Sequence, residues 1–412
     1  MKSLRSCLPL LFSALLVPAL RAQSVAPATN GDYFVYIGTY TGFKFVRHNQ
    51  PQMAGQSHSK GIYVARFHTA TGKLDPPVLA AEIANPSFLV VSPNGRFLYA
   101  ASEDPTSVGP PLDHASYVAG YAIDQTTGKL RFLNSRPTAG TSTCFISMDK
   151  SGRYVMLANF GSGSVSVLNV HPDGSVGGLT AFMQHIGHSK DPQIQNQPHP
   201  HSVIAAPDNK YVIVSDLGLD KVFEYQFDAK TGELSPPAPD FAPIEPGSGP
   251  RHLLFTPNGR FAYQLSEMSG HLDAFRWDAA NGKLVPIEVV KTVTPGLVTD
   301  NHSAEIAISP DSRFLYESNR RVAPDGSRGP DSIGVYAIDA STGHLTQVEE
   351  HPTLIMPRSI ALDPTGQYLL VASELHDQIV VYKRSESDGK LGAANPEVTA
   401  ETPVSMVFSP VK

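Results

Sequence analysis

Ser87–Ser102 reads SFLVVSPNGRFLYAAS. An apolar, strand-like run leads into a Ser-Pro-Asn-Gly-Arg turn, and an aromatic residue opens a second such run. The phrase returns as CFISMDKSGRYVMLAN (Cys144–Asn159), HSVIAAPDNKYVIVSD (His201–Asp216) and RHLLFTPNGRFAYQLS (Arg251–Ser266). Two further copies are AEIAISPDSRFLYESN (Ala304–Asn319) and RSIALDPTGQYLLVAS (Arg358–Ser373). The turns fall at Pro93, Lys150 (where the others have Pro), Pro207, Pro257, Pro310 and Pro364, and a truncated seventh copy, SMVFSP, turns at Pro410. A spacing of about 46 to 57 residues marks one structural unit per repeat.

A second phrase alternates with the first: GIYVARFHTATGKL (Gly61–Leu74), AGYAIDQTTGKL (Ala119–Leu130), VFEYQFDAKTGEL (Val222–Leu234), LDAFRWDAANGKL (Leu272–Leu284) and IGVYAIDASTGHL (Ile333–Leu345). Weaker copies end near Gly174 and Gly389. Two strand-turn-strand phrases per unit make four antiparallel strands, the content of one propeller blade. The fold expected is therefore all-β, a seven-bladed β-propeller of four-stranded blades. The seventh copy lacks its second strand, and YFVYIGTYT (Tyr33–Thr41) resembles that strand. The N-terminal strand is expected to complete the C-terminal blade, closing the ring and removing free sheet edges.

Residues 1–22 read as an export signal: Lys2 and Arg5, an apolar run Leu8–Leu20 too short to span a bilayer, and the small Ala22. The expectation is a single domain over 23–412, secreted or periplasmic and monomeric. Cys7 leaves with the signal, so Cys144 stands alone and no intrachain disulfide is available. The 33 Gly and 35 Pro suit a chain of many turns. A formal charge of −6 without a basic block argues against nucleic acid, and nothing after the signal is long and apolar enough to cross a bilayer, so no membrane partner is expected.

The repeat also fixes a rim. Each first phrase descends one strand and returns on its neighbour, so the residue six before the turn and the residue ten after it share one blade edge. The six-before positions are Ser87, Cys144, His201, Arg251, Ala304, Arg358 and Val404. The ten-after positions are Glu103, Phe160, Leu217, Glu267, Arg320 and Glu374, with Tyr40 completing the last blade. Three Arg, three Glu and one His gather there, in a chain that is only 17% charged. The turns repeat while the rim varies from blade to blade, as a binding site would. Such a rim suits a small anionic or polyhydroxy, oxygen-rich ligand.

The runs HSVIAAPDN, GPRHLLFTPNGRFAYQLSEMSGHLDAF and SAEIAISPDSRFLYESNR resemble the seven-bladed lactonase family. That family includes propeller-type 6-phosphogluconolactonases and carboxymuconate-lactonizing enzymes. The resemblance spans Tyr36 to Pro410 and implies a site of one His, two Arg and one Glu. Those positions are His201 in HPHS, Arg251 in GPRH, Glu267 in QLSE and Arg320 in ESNR, all on the rim register. Insertions at Phe43–Lys60, His185–Pro198 and Arg321–Asp331 are expected to shape the mouth.

The function implied is hydrolysis of a sugar-type, 6-phosphogluconolactone-like lactone to its hydroxy acid, a step of carbohydrate metabolism. The alternatives are a carboxymuconate-type lactonizing cyclase, or a non-catalytic exported propeller that binds a glycan or a protein. Hydrolysis needs a water nucleophile, a base and a cation facing the developing oxyanion. Glu267 or His201 would be the acid–base group, and Arg251 and Arg320 would hold oxygens bidentately. Arg358, Glu103, His252 and His199 are expected to contact substrate. No cofactor is implied. Zinc on His199, His201 and His252 is not expected, with His199 and His201 taken to face opposite ways. Other histidines, including His114, His171 and His185, are expected in solvated loops. Cys144 is expected to be an inert thiol, and the chain lacks a Gly-x-Ser-x-Gly elbow.

Overall fold

The Ser-Pro-Asn-Gly turn closes on its own side chains. Ser92 Oγ donates to Asn94 Oδ1 (2.8 Å) and accepts the Phe97 amide (3.0 Å). Gly95 takes the left-handed φ of 68° that the turn demands. Each first phrase thereby becomes the two innermost strands of a blade.

The computed structural model describes residues 31–42, 56–103, 116–236, 241–292, 300–322, 329 and 331–412. The export signal, His114, most of the first insertion and most of the third lie outside those residues. The described strands form seven antiparallel sheets arranged as blades, with a separate two-stranded ribbon of Asp300–Asn301 against Arg321–Val322. Blade 1 runs outward through Pro86–Val91, Phe97–Ser102, Tyr117–Ile123 and Leu130–Pro137. Blades 2 to 6 begin at Thr143–Met148, Pro200–Ala205, Pro250–Phe255, Ile306–Ile308 and Pro357–Leu362. These inner strands contact one another in succession around the ring. In blades 3, 6 and 7 the outermost strand is broken into two pieces.

Blade 7 closes the ring with both chain ends. Pro403–Pro410 is its inner strand and pairs antiparallel with Tyr33–Thr39, from Tyr33 opposite Pro410 to Thr39 opposite Pro403. Gly61–His68 follows outward.

The two phrases prove to be two halves of one joint. The aromatic residue opening the second strand of each blade lies against the turn glycine of the next blade. Phe97 of blade 1 covers Gly174 of blade 2 so closely that a Cβ there would sit 2.2 Å from the ring. Gly174 also has φ 86°, so geometry and space both demand glycine. Tyr99 adds a hydrogen bond from its hydroxyl to the Gly174 carbonyl (2.9 Å). Tyr368 of blade 6 meets Gly72 of blade 7 in the same way, so the joint also bridges the closure. Apolar side chains fill the rest of each blade-to-blade layer, as with Tyr99, Val118, Ile146 and Leu157 between blades 1 and 2.

Candidate active site

In six blades the residue six before the turn stands unpaired at a β-bulge. In blade 4, Pro250 pairs with Ser266 and His252 with Leu265, leaving Arg251 with no opposite residue. In blade 3, Pro200 pairs with Asp216 and Ser202 with Ser215, leaving His201 out. Ser87, Cys144, Arg358 and Val404 are bypassed likewise. A bulge re-aims the side chain it carries. Here it turns His201, Arg251 and Arg358 toward the channel mouth, where the ten-after residues also stand.

Glu267 is the centre of the larger cluster. Arg251 Nη1 donates to its Oε2 (2.8 Å), and Arg320 Nη2 donates to its Oε1 (2.8 Å). Both guanidiniums are anchored from behind, Arg251 Nε on the Ala304 carbonyl (2.7 Å) and Arg320 Nε on the His302 carbonyl (2.7 Å). The Glu267 amide donates to the Gly249 carbonyl (2.7 Å), fixing the carboxylate opposite Arg251. The Glu267 side chain is 14% exposed against 5% for Arg251 and 2% for Arg320. The carboxylate is therefore the group of the three most open to water. Burial, with Arg251 and Arg358 nearby, lowers the Arg320 pKa to about 10 despite Glu267. Arg320 stays cationic at neutral pH.

Arg251 Nη1 also donates to His201 Nε2 (2.6 Å). A guanidinium only donates, so Nε2 carries the lone pair and the ring proton resides on Nδ1. Burial first, and Arg251 next, hold the His201 pKa well below that of an ordinary histidine. His201 is thus neutral, with its basic nitrogen occupied. Its Nδ1 faces Cys144 Sγ at 3.6 Å. That N–H points at the sulfur, so it withdraws no proton from it, and burial pushes the Cys144 thiol pKa up. The contact lies between two blades and could not be read within either phrase.

A second cluster lines blades 6, 7 and 1. Arg358 Nη2 donates to the Tyr40 hydroxyl (2.8 Å), which donates to Glu103 Oε2 (3.0 Å). The Arg358 guanidinium lies over the Tyr40 ring, 5.2 Å from its centre, and Nε is 3.8 Å from Glu374 Oε2. The expected contact residues Arg358 and Glu103 therefore belong to one relay. With carboxylates ionised, the first cluster has a formal charge of +1 (Arg251, Arg320, Glu267). The second has −1 (Arg358, Glu103, Glu374).

His252 stands against His201, 5.3 Å between ring centres, and its Nδ1 bonds Glu305 Oε1 (2.8 Å). With Arg251 taken out of register by the bulge, the next residue rejoins the ladder. Other expectations need correction. His199 and His201 do not face opposite ways. Both rings pack on Phe160, at 4.1 and 5.4 Å. His199 Nδ1 is engaged by the Phe160 carbonyl (2.7 Å). His185 is not solvated: buried, it bridges Asp216 (2.5 Å) and the Tyr225 hydroxyl (2.9 Å). His171 is exposed.

His302 was not singled out by the register, yet its Nδ1 lies 3.6 Å from Glu267 Oε1. It stands two residues before Ala304 as His199 stands two before His201, the one sequence signal that marks it. The His185–Pro198 insertion is tied down by buried Asp220. That carboxylate accepts from Ser189 (2.5 Å), Gln195 (2.9 Å), and the Gly247 and Gly249 amides (2.7 Å each) just ahead of Arg251. Among the described residues, no three His, Cys, Asp or Glu side chains are grouped to hold a metal ion, and no helix is long and apolar enough to cross a membrane.

Comparison with known proteins gives this geometry a family context. Residues 34–408 match the family described as lactonase, 7-bladed β-propeller. The 6-phosphogluconolactonase of Bacillus subtilis is 31% identical, across 91% of this chain and 98% of its own. That of Formosa agariphila is 33% identical, across 80% and 90%. The periplasmic gluconolactonase PpgL of Pseudomonas aeruginosa superposes with a TM-score of 0.82 at 32% identity, covering 92% of this chain and all of PpgL.

Proposed function

This chain belongs to the seven-bladed β-propeller lactonase family, and from that premise and its mouth geometry we propose that it hydrolyses a sugar-type lactone to the hydroxy acid. The observation that carries the reading is one carboxylate, Glu267, held between two anchored guanidiniums beside a neutral histidine.

Glu267 is the base. Its carboxylate takes a proton from a water molecule whose oxygen attacks the lactone carbonyl carbon. Charge then moves onto the carbonyl oxygen, where Arg251 and Arg320 offer fixed positive charge with nothing left to reorganise. As the tetrahedral intermediate collapses, the ring C–O bond breaks and the departing alkoxide recovers the proton from Glu267. One water is consumed, its hydroxyl ending on the acyl carbon and its proton on the former ring oxygen. His201 holds Arg251 in place through Nε2, and the Ala304 and His302 carbonyls hold the two guanidiniums from behind.

Two relatives named 6-phosphogluconolactonase and one named gluconolactonase support a six-carbon aldonic lactone as the substrate class. The periplasmic location printed for PpgL, with the Lys2, Arg5 and Leu8–Leu20 pattern here, supports export of this protein as well. The test is proton release on a panel of lactones below neutral pH, where spontaneous opening is slow, with Glu267→Gln and Arg320→Ala beside the wild type. Hydrolysis that disappears in both variants supports the assignment. Rates equal to the uncatalysed background on every lactone overturn it.

A further inference from the structure

We infer that the lactone this mouth accepts carries no phosphoryl group, because the half of the rim facing Glu267 is built for the hydroxyls of a neutral polyol. The inference rests on the hydrolase reading above and specifies its substrate.

The reacting carbonyl is fixed where Arg251, Arg320 and Glu267 converge, on blades 4 and 5. A six-carbon lactone is larger than that cluster, so its far end extends across the mouth toward blades 6, 7 and 1. The two sides lie within each other's field: Arg358 is influenced by Glu267, and Arg320 by Arg358 and Glu374. What meets the far end is therefore the relay of Arg358, Tyr40 and Glu103, with Glu374 behind it.

That relay is poorly suited to a phosphate dianion. Phosphate sites offer several converging donors and a surplus of positive charge. Here the one cation, Arg358, already donates to Tyr40 and is faced by the fully buried Glu374. Tyr40 spends its only proton on Glu103. One Arg358 N–H and the Tyr40 hydroxyl proton thus point along the relay, and the relay ends on the half-buried Glu103 carboxylate at the mouth. The rim positions include no lysine. A polyol is matched instead: its hydroxyls donate to Glu103 and accept from Arg358. A phosphoryl group in the same place meets two carboxylates against one shared guanidinium. If the relay only tied blades 6, 7 and 1 together, Glu103 would influence stability without choosing between substrates.

The experiment measures kcat/KM of the purified protein for gluconolactone and for its 6-phosphate at low ionic strength. The neutral lactone is expected to be favoured by about tenfold or more, the size of one unlike-to-like change in a partly screened charge pair. Glu103→Gln is expected to raise the ratio of phosphorylated to neutral turnover several-fold, and added salt to narrow the wild-type preference. Equal or better turnover of the 6-phosphate, or a Glu103→Gln effect identical on both substrates, overturns the inference and leaves lactone hydrolysis standing. Absence of turnover on either lactone overturns the hydrolase reading, and this inference with it. Calorimetric binding of gluconate and 6-phosphogluconate to the wild type needs no variant. Weaker binding of the phosphorylated acid is expected, and tighter binding overturns the proposal.

Discussion

Glu267 and His201 are adjacent at the mouth, and the choice of base between them can be tested by replacing each with glutamine. Gln at 267 keeps size and one acceptor oxygen but abolishes the base. Loss of general-base catalysis alone is worth about 10²–10⁴-fold. The change also leaves Arg251 and Arg320 without the carboxylate that balances them. Gln at 201 behaves differently. His201 Nε2 only accepts a hydrogen bond from Arg251, and the amide oxygen of Gln can take that bond over. If the replacement is imperfect, an underserved buried N–H costs about 1–3 kcal/mol. Much of that cost appears as stability, and the expected loss in kcat/KM is about tenfold. The pH profile gives an independent reading. A catalytic histidine of ordinary pKa would produce an acid limb near pH 6.5. With its pKa held well below that by burial and Arg251, His201 contributes no inflection there. The assay is initial-rate proton release between about pH 5 and 7, corrected for spontaneous opening. A wild-type limb near 6.5 that vanishes in His201→Gln, or a His201→Gln loss as large as that of Glu267→Gln, would refute the assignment of Glu267 as base.

Three further outcomes are expected. Gly174→Ala forces an L-residue to φ 86° with its Cβ against Phe97; strain and overpacking together should cost about 2–5 kcal/mol, read as a lower thermal midpoint. Asp220→Ala removes the acceptor that ties the His185–Pro198 segment to Gly247 and Gly249. It should lower kcat/KM through misplacement of Arg251, with rescue by Asp220→Asn incomplete because an amide has one acceptor oxygen rather than two; identical kinetics would show that the loop does not position Arg251. Glu317, fully buried against Gly334, has its pKa raised to about 8 by burial. The folded state then holds a proton the unfolded chain releases above about pH 4.3, so stability falls as pH rises from about 4 to 8. Glu317→Gln, which can still accept from Asn319, should flatten that part of the stability profile measured by denaturant titration.

The architecture was legible because each joint is written twice, once as an aromatic and once as a glycine of the next unit. Phe97 and Gly174 are apparent as two repeats before their contact is known. The site was legible to the extent that position relative to a turn sets height on a blade, which places Arg251, Glu267 and Arg320 at one level. Contacts between blades were not. Cys144 meets His201 across 57 residues, and His185 finds Asp216 across 31. No local pattern distinguishes a histidine with such a partner from a solvated one. The bulges were hidden too, because the unpaired residue is polar in one blade and apolar in the next.

That variability also explains how a symmetric ring carries an asymmetric site. A residue in register on an inner strand must serve the ladder and the layer against the next blade, and the repeat constrains it accordingly. Val203 and Ile213, for example, are packed on both sides of blade 3. A residue bypassed at a bulge is released from the ladder, so His201, Arg251 and Arg358 replace the Ser87 and Val404 of other blades without breaking the strand pairing. The ladder resumes one residue later in each case. Rigid neighbours on either side then hold the exempted side chain, which is the preorganisation an oxyanion-stabilising arginine requires. Exchanging the bulge residues of two blades should therefore leave both ladders intact and cost stability where a buried charge such as Arg251 is parted from Glu267, whereas the same exchange at Val203 or Ile213 should unfold the blade.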